Sequence, residues 1–461
     1  MISERMSSLF SPTIRKFLMA ASIIAGILCL LLVRYSQGSI KIAMLYAMYL
    51  CIMALIVFYK NSLNKYEIAI FFFLCIQIIG LAPSPNYLGN LVGTSYLLSY
   101  RYGVSSRSFV ATIIDFFTRG DFISRYFVHH FIFGATAFLS FIISVLLGGS
   151  IQKATNNTKY FILFLVVLYL SSFTAPAAYF GRANFGRVEI FAMLILFLIV
   201  FIINKPVIRW IIPLLAVFVM SIHLILVFFF IPFIIIILFH SIFEKPDESK
   251  QSVFLLVATI KALLIVFLCY LLFGRGTFIF EDARSFYEHL SARTDLNFSE
   301  EFLHMTMFAS LEDHLIGWRH AVNFSFSGNF SILINIPLVL LFVVFWVKCF
   351  FIEATTKMKL FFLMPILVLL YQSVAFFLFF DFGRWMIMIL NVQFMLLFYL
   401  AFVRNKAVLS NIQIITPFVK RNAFFIMLIC LIMTFLGPLS VMAPSERTMR
   451  IFNIFTNLTG L

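Results

Sequence analysis

The sequence predicts an all-α, polytopic transmembrane helix bundle, and two observations lead to that fold class. First, 63% of the 461 residues are hydrophobic and 11% are charged, whereas a soluble domain is about half apolar and about a quarter charged. Second, Phe, Ile and Leu fill runs of roughly 18–22 residues, the length that crosses about 30 Å of hydrocarbon. Lipid offers no partner to an unpaired backbone group, so these runs must be helical. Residues 1–461 are therefore expected to form a single integral membrane domain.

The apolar runs divide the chain into about thirteen predicted spans, within a range of about 11–14. They lie at 17–33, 40–59, 66–81, 128–148, 160–177, 188–203, 209–221, 223–240, 252–273, 331–349, 360–380, 385–403 and 422–441. The segment 209–240 is interpreted as a tight hairpin that turns near Ser221-Ile222-His223. An odd number of spans places the two termini on opposite sides of the membrane.

Two long segments between spans are predicted to lie on the outer face. The first loop, 82–127, is rich in Tyr and Arg and contains Ser108–Thr118, whose apolar residues recur at helical spacing. The second loop, 274–330, contains the amphipathic stretch Glu300–Leu315. Its predicted apolar side consists of Phe302, Met305, Phe308 and Leu311. Both loops are expected to be ordered covers at the membrane surface, because each has an apolar stripe to bury.

Lysine and arginine are distributed unequally between the two predicted faces. With the amino terminus inside, the inner loops hold thirteen Lys and five Arg, whereas the outer segments hold fourteen Arg and one Lys, Lys41. A cation that sets topology can be of either type. A cation that binds phosphate or carboxylate through two parallel hydrogen bonds should be Arg. The alternative is a compositional bias combined with arginines that reach to the interface as anchors.

The tripeptide Phe-Gly-Arg occurs four times, each time at the predicted outer end of a span. The copies lie at 180–182, 185–187, 273–275 and 382–384. Glycine allows a helix to end there, and the arginine then projects from the terminus. The repeated pattern predicts an anion-binding rim that includes Arg182, Arg187, Arg275 and Arg384. Arg101, Arg107, Arg319, Tyr102 and Trp385 are further candidate substrate-binding residues on the same face.

Asp381, Glu189 and His320 are the candidate catalytic residues near this rim. A carboxylate close to several arginines can take a proton from a sugar hydroxyl as a general base. For Asp381 and Glu189, a structural ion pair that keeps an arginine oriented is an equally good interpretation. His320 and His289 are weaker candidates for the base. His129, His130 and His223 are expected to be satisfied polar groups inside the bundle.

Several function classes lack their characteristic residues. The chain has no nucleotide-binding loop and no HExxH or serine-nucleophile motif, so neither a metal nor another cofactor is expected. The six cysteines lie in or beside apolar runs without metal-ligand spacing. The net charge of +15 is attributed to loop lysines and arginines, so no nucleic acid is expected as a partner. Span centres contain almost no charge, which argues against a transporter.

With Arg182–Arg187 and Asp381–Trp385 at span ends, many Phe-rich spans and a large late outer loop, the chain resembles the Wzy-type (EpsG-like) bacterial polysaccharide and O-antigen polymerases. The resemblance covers the whole length but is architectural. It implies a multi-pass protein of the bacterial inner membrane, with a cytoplasmic amino terminus and a periplasmic carboxyl terminus. It further implies metal-independent transfer of a glycan from undecaprenyl pyrophosphate to a lipid-linked acceptor. Membrane lipid, a chain-length regulator and a flippase are the other partners it implies.

Three alternatives stay open. A polyprenyl-phosphosugar-dependent multi-span glycosyltransferase usually has an acidic pair in its first outer loop, but the loop here, Arg34–Lys41, contains no acid. An O-antigen ligase is a close variant of the polymerase. A flippase for lipid-linked oligosaccharide is the non-enzymatic alternative, and it would need Arg or acids inside the bundle.

Overall fold

Long apolar helices make up most of the computed structural model, which describes residues 12–60, 62–105, 107–172, 184–244, 249–274, 277–309, 330–375 and 382–436. The helices are α1 Pro12–Tyr35, α2 Gly38–Lys60, α3 Lys65–Leu81, α4 Asn90–Ser95, α5 Ser108–Thr118, α6 Arg125–Lys153, α7 Asn156–Ser171, α8 Glu189–Ile202, α9 Ile212–Ile222, α10 Leu226–Phe229, α11 Ile231–Glu244, α12 Ser249–Phe273, α13 Ala283–Ser291, α14 Glu300–Leu303, α15 Phe330–Ile352, α16 Thr356–Ser373, α17 Phe382–Phe402, α18 Lys406–Arg421 and α19 Ala423–Leu436. Within these ranges the fold is all-helical, as predicted.

Six helical segments of the described chain are long and apolar enough to cross a membrane. They are Pro12–Tyr35, Gly38–Lys60, Arg125–Lys153, Leu226–Glu244, Ser249–Phe273 and Arg384–Phe402. A seventh is counted if Lys406–Arg421 and Ala423–Met433, which meet at an angle of 88°, are taken as one broken span. Each of the thirteen predicted spans falls on a helix, but several of these helices are too short to cross unaided. The chain is therefore a multi-pass membrane protein.

The membrane helices differ sharply in where their apolar side chains lie. In α6 and in α17, 89% and 94% of the most apolar stretch is buried inside the bundle. In α1 the corresponding share is 6%, and in α12 it is 22%. A helix that is apolar all round can be covered by protein or by lipid. The helices α6 and α17 are therefore the centre of the bundle, and α1 and α12 present their side chains to lipid.

Polar side chains fasten α17 to three neighbouring helices. Tyr169 Oη donates to Asn391 Oδ1 at 2.9 Å, and Trp346 Nε1 donates to Gln393 Oε1 at 2.7 Å. On a third side, Tyr399 Oη lies 3.2 Å from Nδ1 of His240. Such bonds between membrane helices stabilise by roughly 0.6–2 kcal/mol each. They also fix the rotation of α17 about its axis, which determines where Arg384 points.

The first and second loops are bonded to each other. Ile123 and Thr294 form a parallel β-bridge, and the Arg125 backbone N–H donates to Asp295 Oδ1 at 2.5 Å. A Cβ added to Gly93 would lie 1.8 Å from the carbonyl oxygen of Asn297, so this close approach requires glycine. The two loops therefore form one layer over the end of the bundle at which α6 begins.

Two local predictions for the loops had different outcomes. The helix expected at Ser108–Thr118 has those bounds. In the second loop the helix continues past Leu303 as a π-helical turn, His304–Phe308. Leu303 and Met307 are buried, whereas Met305 is 43% exposed. Of the predicted apolar side, Phe308 packs partly buried against the core, the prediction for Met305 was wrong, and residues 310–315 lie outside the described ranges.

The 209–240 segment turns close to the predicted position, whereas one predicted inner loop contains a helix. The chain breaks at His223, whose backbone is extended between α9 and α10, close to the predicted turn. By contrast, α18 occupies a segment that the sequence analysis left as an inner loop. Its apolar residues recur on one side among polar ones, and a search for uniformly apolar runs misses such a helix.

Candidate functional site

A narrow cleft lies beneath the loop layer, at the end of the bundle where α6 begins. Its charged and titratable lining consists of Arg107, Arg187, Glu189, His223 and Arg384. These five residues come from four separate parts of the chain. Three guanidinium groups surround one carboxylate, so the charged lining is net positive.

The carboxylate is held by a buried ion pair. Glu189 is the first residue of α8, and its Oε1 accepts a hydrogen bond from Arg384 Nη1 at 3.1 Å. The two side chains are 0% and 5% exposed. A buried pair of this kind is strongly favoured over either partner alone, since removal of one leaves the other charge uncompensated.

The second oxygen of Glu189 is in a different situation. Oε2 is buried and accepts no hydrogen bond from any described residue. A buried carboxylate oxygen without a donor costs on the order of 1–3 kcal/mol, and such groups are found where a ligand or a proton is handled. Because Glu189 lines the cleft, this oxygen is an acceptor of the site without a donor among the described residues.

A tight turn places Arg187 beside Glu189. The backbone N–H of Arg187 donates to the carbonyl of Asn184 at 3.1 Å. Gly186 within the turn has a φ of +85°, which side chains with a Cβ rarely adopt. Tyr96 in the first loop donates from Oη to the Gly186 carbonyl at 2.9 Å. This copy of Phe-Gly-Arg therefore ends in a fixed turn that directs Arg187, which is half-buried.

Arg107 reaches the cleft from the amino-terminal end of α5. Its Nε donates to His223 Nε2 at 3.2 Å, and the Ile225 backbone N–H points at His223 Nδ1 at 3.2 Å. A neutral imidazole can accept at one of these nitrogens only, because the other carries its proton. His223 was expected to be a satisfied polar group within the bundle, and it is buried with polar partners. Its place in the lining of the cleft is what the sequence analysis missed. The break in the apolar run at this position was the available signal.

Aromatic residues support Arg384 from behind. Its Cζ lies 4.3 Å from the centroid of the Trp385 ring, and Trp385 stacks on Phe229 with the ring centroids 5.0 Å apart. A guanidinium group over an aromatic face is attracted by the ring, more strongly when both are desolvated. The ring therefore restricts the plane of the guanidinium group. Trp385 acts on Arg384 and does not itself line the cleft.

Arg101 and Tyr102 lie in a separate cluster within the loop layer. Tyr102 is buried against Phe286 and His289, and Arg293 lies 5.8 Å from its ring centroid. Partial burial raises the pKa of the Asp115 carboxyl, and the Arg101 guanidinium offsets part of that rise. Tyr102 therefore joins the two loops, and neither it nor Arg101 lines the cleft.

The structure thus brings together four of the predicted site residues, namely Glu189, Arg107, Arg187 and Arg384. Asp381, Arg182, Arg275, Arg319 and His320 lie outside the described ranges. Arg384 does not project from a helix end into solvent as the predicted rim required, since it is 4% exposed. The described residues include no group of three or more His, Cys, Asp or Glu side chains that could hold a metal ion.

Comparisons of the chain with family models, with curated proteins and with solved structures gave no match.

Proposed function

We propose that this chain polymerises lipid-linked oligosaccharide repeat units. In this proposal it spans a bacterial inner membrane about thirteen times and transfers a glycan from undecaprenyl pyrophosphate to an acceptor sugar hydroxyl on the periplasmic face. The product would be an O-antigen, a capsule or an exopolysaccharide. One observation carries the proposal: the Glu189 carboxylate has one oxygen held by Arg384 and one buried oxygen without a described donor, inside a cleft lined by three arginines.

The arginines that line the cleft have two different roles in this proposal. Arg107 and Arg187 are half-buried and can present their planar forks to the two phosphates of the donor lipid. Arg384 is almost fully buried against Glu189, so it orients that carboxylate and does not contact pyrophosphate directly. Its role here differs from the one expected from the sequence.

In the transfer step one proton moves, one bond forms and one bond breaks. The acceptor hydroxyl gives its proton to Glu189 Oε2 while its oxygen forms a bond with the anomeric carbon of the donor sugar. The bond between that carbon and the pyrophosphate oxygen breaks, and the electron pair leaves with undecaprenyl pyrophosphate. Arg107 and Arg187 stabilise the negative charge that develops on the leaving group. General base catalysis of this kind contributes typically 10²–10⁴-fold.

Segregation of the basic residues supports the proposed orientation. Arg107, Arg187 and Arg384 surround the cleft at the end where α6 begins. At its other end, Lys60, Lys205 and Arg404 lie close to Lys153. The summed Lys and Arg differ little between the two faces, eighteen against fifteen, so the proposed orientation rests on the segregation of the two residue types. The lysine-rich end is assigned to the cytoplasm and the arginine-lined end to the periplasm.

The test is complementation of a deletion of this gene in the source bacterium. We expect the deletion strain to carry single repeat units in place of a chain-length ladder, and the wild-type gene to restore the ladder. Two variants test the base at equal protein level. Glu189→Gln removes it, and Glu189→Asp keeps the charge that balances the arginines but withdraws the carboxylate by about one bond length.

Both variants should fail to restore long chains, since a misplacement of about 1 Å at a reacting group can cost roughly 10²-fold. The Asp variant also separates chemistry from folding, because it retains the ion-pair charge. A normal ladder from both variants would exclude Glu189 as the base. Unchanged surface glycan in the deletion strain itself would refute the polymerase.

A further inference from the structure

A second narrow cleft lies at the opposite end of the bundle. Its lining includes Lys153 at the end of α6, Arg404 after α17, and the hydroxyl residues Thr155 and Thr158. The remaining wall is mostly apolar, with Ile162, Ala401 and Leu409. The cleft therefore combines cations and hydroxyl groups on one side with apolar surface on the other.

Positive charge accumulates around this cleft. Lys153 has Lys60, Lys205 and Arg404 as electrostatic neighbours, and each of them repels it. The nearby carboxylate, Glu67, is already occupied: Oε1 pairs with Lys60 and Oε2 accepts from the Asn64 backbone N–H at 2.8 Å. Like charges held together without an available counter-charge favour the binding of an anion.

Backbone geometry adds to the same preference. The helix α7 begins at Asn156 beside the cleft, and the side chain of its N-cap residue, Thr155, makes no capping hydrogen bond. The first turn of a helix carries backbone N–H groups without intrahelical partners and a partial positive charge. Arg404, which lines the cleft, has a backbone φ of +63°. This is a left-handed conformation that glycine adopts at lower cost.

The helix that follows the cleft, α18, has the features of a helix that lies in the membrane interface. The helix α18 starts directly after Arg404, contains no acid, and leaves Ile414 and Phe418 62% and 65% exposed. It meets the following helix at 88°, as a helix lying in the interface does when the next one enters the bilayer. Lys420 lies 5.6 Å from the Tyr160 ring centroid, and such aromatic residues mark the membrane boundary.

We propose that this cleft binds the phosphate of an anionic phospholipid headgroup between Lys153 and Arg404. The backbone N–H groups at the start of α7 supply neutral donors, since the Thr155 and Thr158 hydroxyls are bonded to each other. The apolar wall receives the glycerol and the upper acyl chain. Basic pockets between membrane helices bind anionic headgroups in this way. A free phosphate ion shares the polar chemistry, but it would gain nothing from the apolar wall or from the position beside α18. The proposal does not depend on the function of the other cleft.

Native mass spectrometry of the full chain in neutral detergent tests the proposal. The chain is titrated with dioleoylphosphatidylglycerol or with dioleoylphosphatidylcholine, which has the same acyl chains and no net charge. We expect one molecule of the anionic lipid to stay bound under conditions that remove the zwitterionic lipid. The double variant Lys153→Gln with Arg404→Gln should bind the anionic lipid roughly thirtyfold more weakly, since each of the two cations contributes about 1 kcal/mol near anionic lipid.

The matched control is Lys357→Gln with Lys359→Gln, which removes the same charge from residues that do not line the cleft. It should keep wild-type affinity, and the unfolding temperatures of both double variants establish that they are folded. Equal loss in the two variants, or equal retention of the two lipids, would overturn the proposal. If millimolar inorganic phosphate binds and abolishes retention of the anionic lipid, the cleft would be assigned to a soluble phosphate ion instead.

Discussion

Two glutamates, one near each end of the bundle, are both fully buried, and their surroundings differ. Glu67 lies in the first turn of α3, where Oε1 pairs with Lys60 and Oε2 closes a capping box with Asn64. Glu189 opens α8, where Oε1 pairs with Arg384 and Oε2 receives no hydrogen bond from the described residues. Both oxygens of Glu67 have a partner, and we call this carboxylate saturated. Only one oxygen of Glu189 has a partner among the described residues, and we call this carboxylate half-saturated.

The difference separates a structural carboxylate from a reactive one. Around Glu67 the packing is close, since a Cβ on Gly148 would lie 2.5 Å from the backbone nitrogen of Glu67. Glycine here allows α6 to approach α3, as small residues do between membrane helices. Around Glu189 there is a cleft. Two glutamates that are alike in burial and in having one cationic partner therefore differ in the access of a ligand to the second oxygen.

The largest expected effect concerns the partner of the half-saturated carboxylate. Arg384→Lys keeps a cation beside Glu189 but loses the planar fork and its contact with the Trp385 ring. If Arg384 orients the base, chain-length ladders at equal protein level should show polymerisation slowed by roughly tenfold to a hundredfold, the equivalent of one charged hydrogen bond of about 1.5–3 kcal/mol. Normal ladders from this variant would mean that the pair supplies charge balance alone.

A smaller effect is expected at Glu67, the saturated carboxylate. There a substitution should change the stability of the protein and not the reaction rate. Glu67→Gln should lower the free energy of unfolding by about 1.5–3 kcal/mol, the contribution of a hydrogen bond to a charged group, and the 31% exposure of the Lys60 side chain keeps the loss toward the lower end. The measurement is the unfolding temperature in detergent, together with activity per folded molecule, which should not change. A loss of activity without a loss of stability would contradict the structural assignment of Glu67.

The smallest effect is expected at a third carboxylate, in the loop layer. Asp115 Oδ1 lies 3.6 Å from Arg293 Nη2, too far for a hydrogen bond, and burial raises its pKa above 3.8. A raised pKa means that the folded state holds the proton more tightly than the unfolded state does. The ionised side chain is then slightly unfavourable at pH 7, and the native state gains relative stability from this group as the pH falls through the raised pKa.

Asp115→Asn should therefore leave the unfolding temperature at pH 7 unchanged or slightly higher, within about 0.5 kcal/mol because the site is partly solvated and screened. The difference between wild type and variant should shrink when the measurement is repeated near pH 4.5. A clear destabilisation of the variant at pH 7 would show that the contact with Arg293 outweighs burial. Asp115 would then resemble Glu67 more than Glu189.

Prediction from the sequence succeeded where a feature depends on neighbours along the chain. The run lengths placed apolar helices within the predicted spans, and six described segments are long enough to cross a membrane. The helical spacing within Ser108–Thr118 gave the bounds of α5. Prediction failed where polarity is mixed. In the second loop the buried residues are Leu303 and Met307 and not Met305, and the mixed polarity of α18 hid a helix that meets the following one at 88°.

The amino-acid sequence by itself determined that lipid is the solvent, that the fold is helical, and that most arginines and most lysines lie in different segments between apolar runs, since composition and run length are properties of the chain alone. Only the tertiary structure decided which charges meet. Arg384 and Glu189 are 195 residues apart, and Arg107 and His223 are 116 apart. Pairing between residues so far apart in the chain depends on how α6, α8 and α17 pack and on the rotation of each helix about its own axis. A helix whose residues are apolar on every side does not indicate that rotation in its sequence.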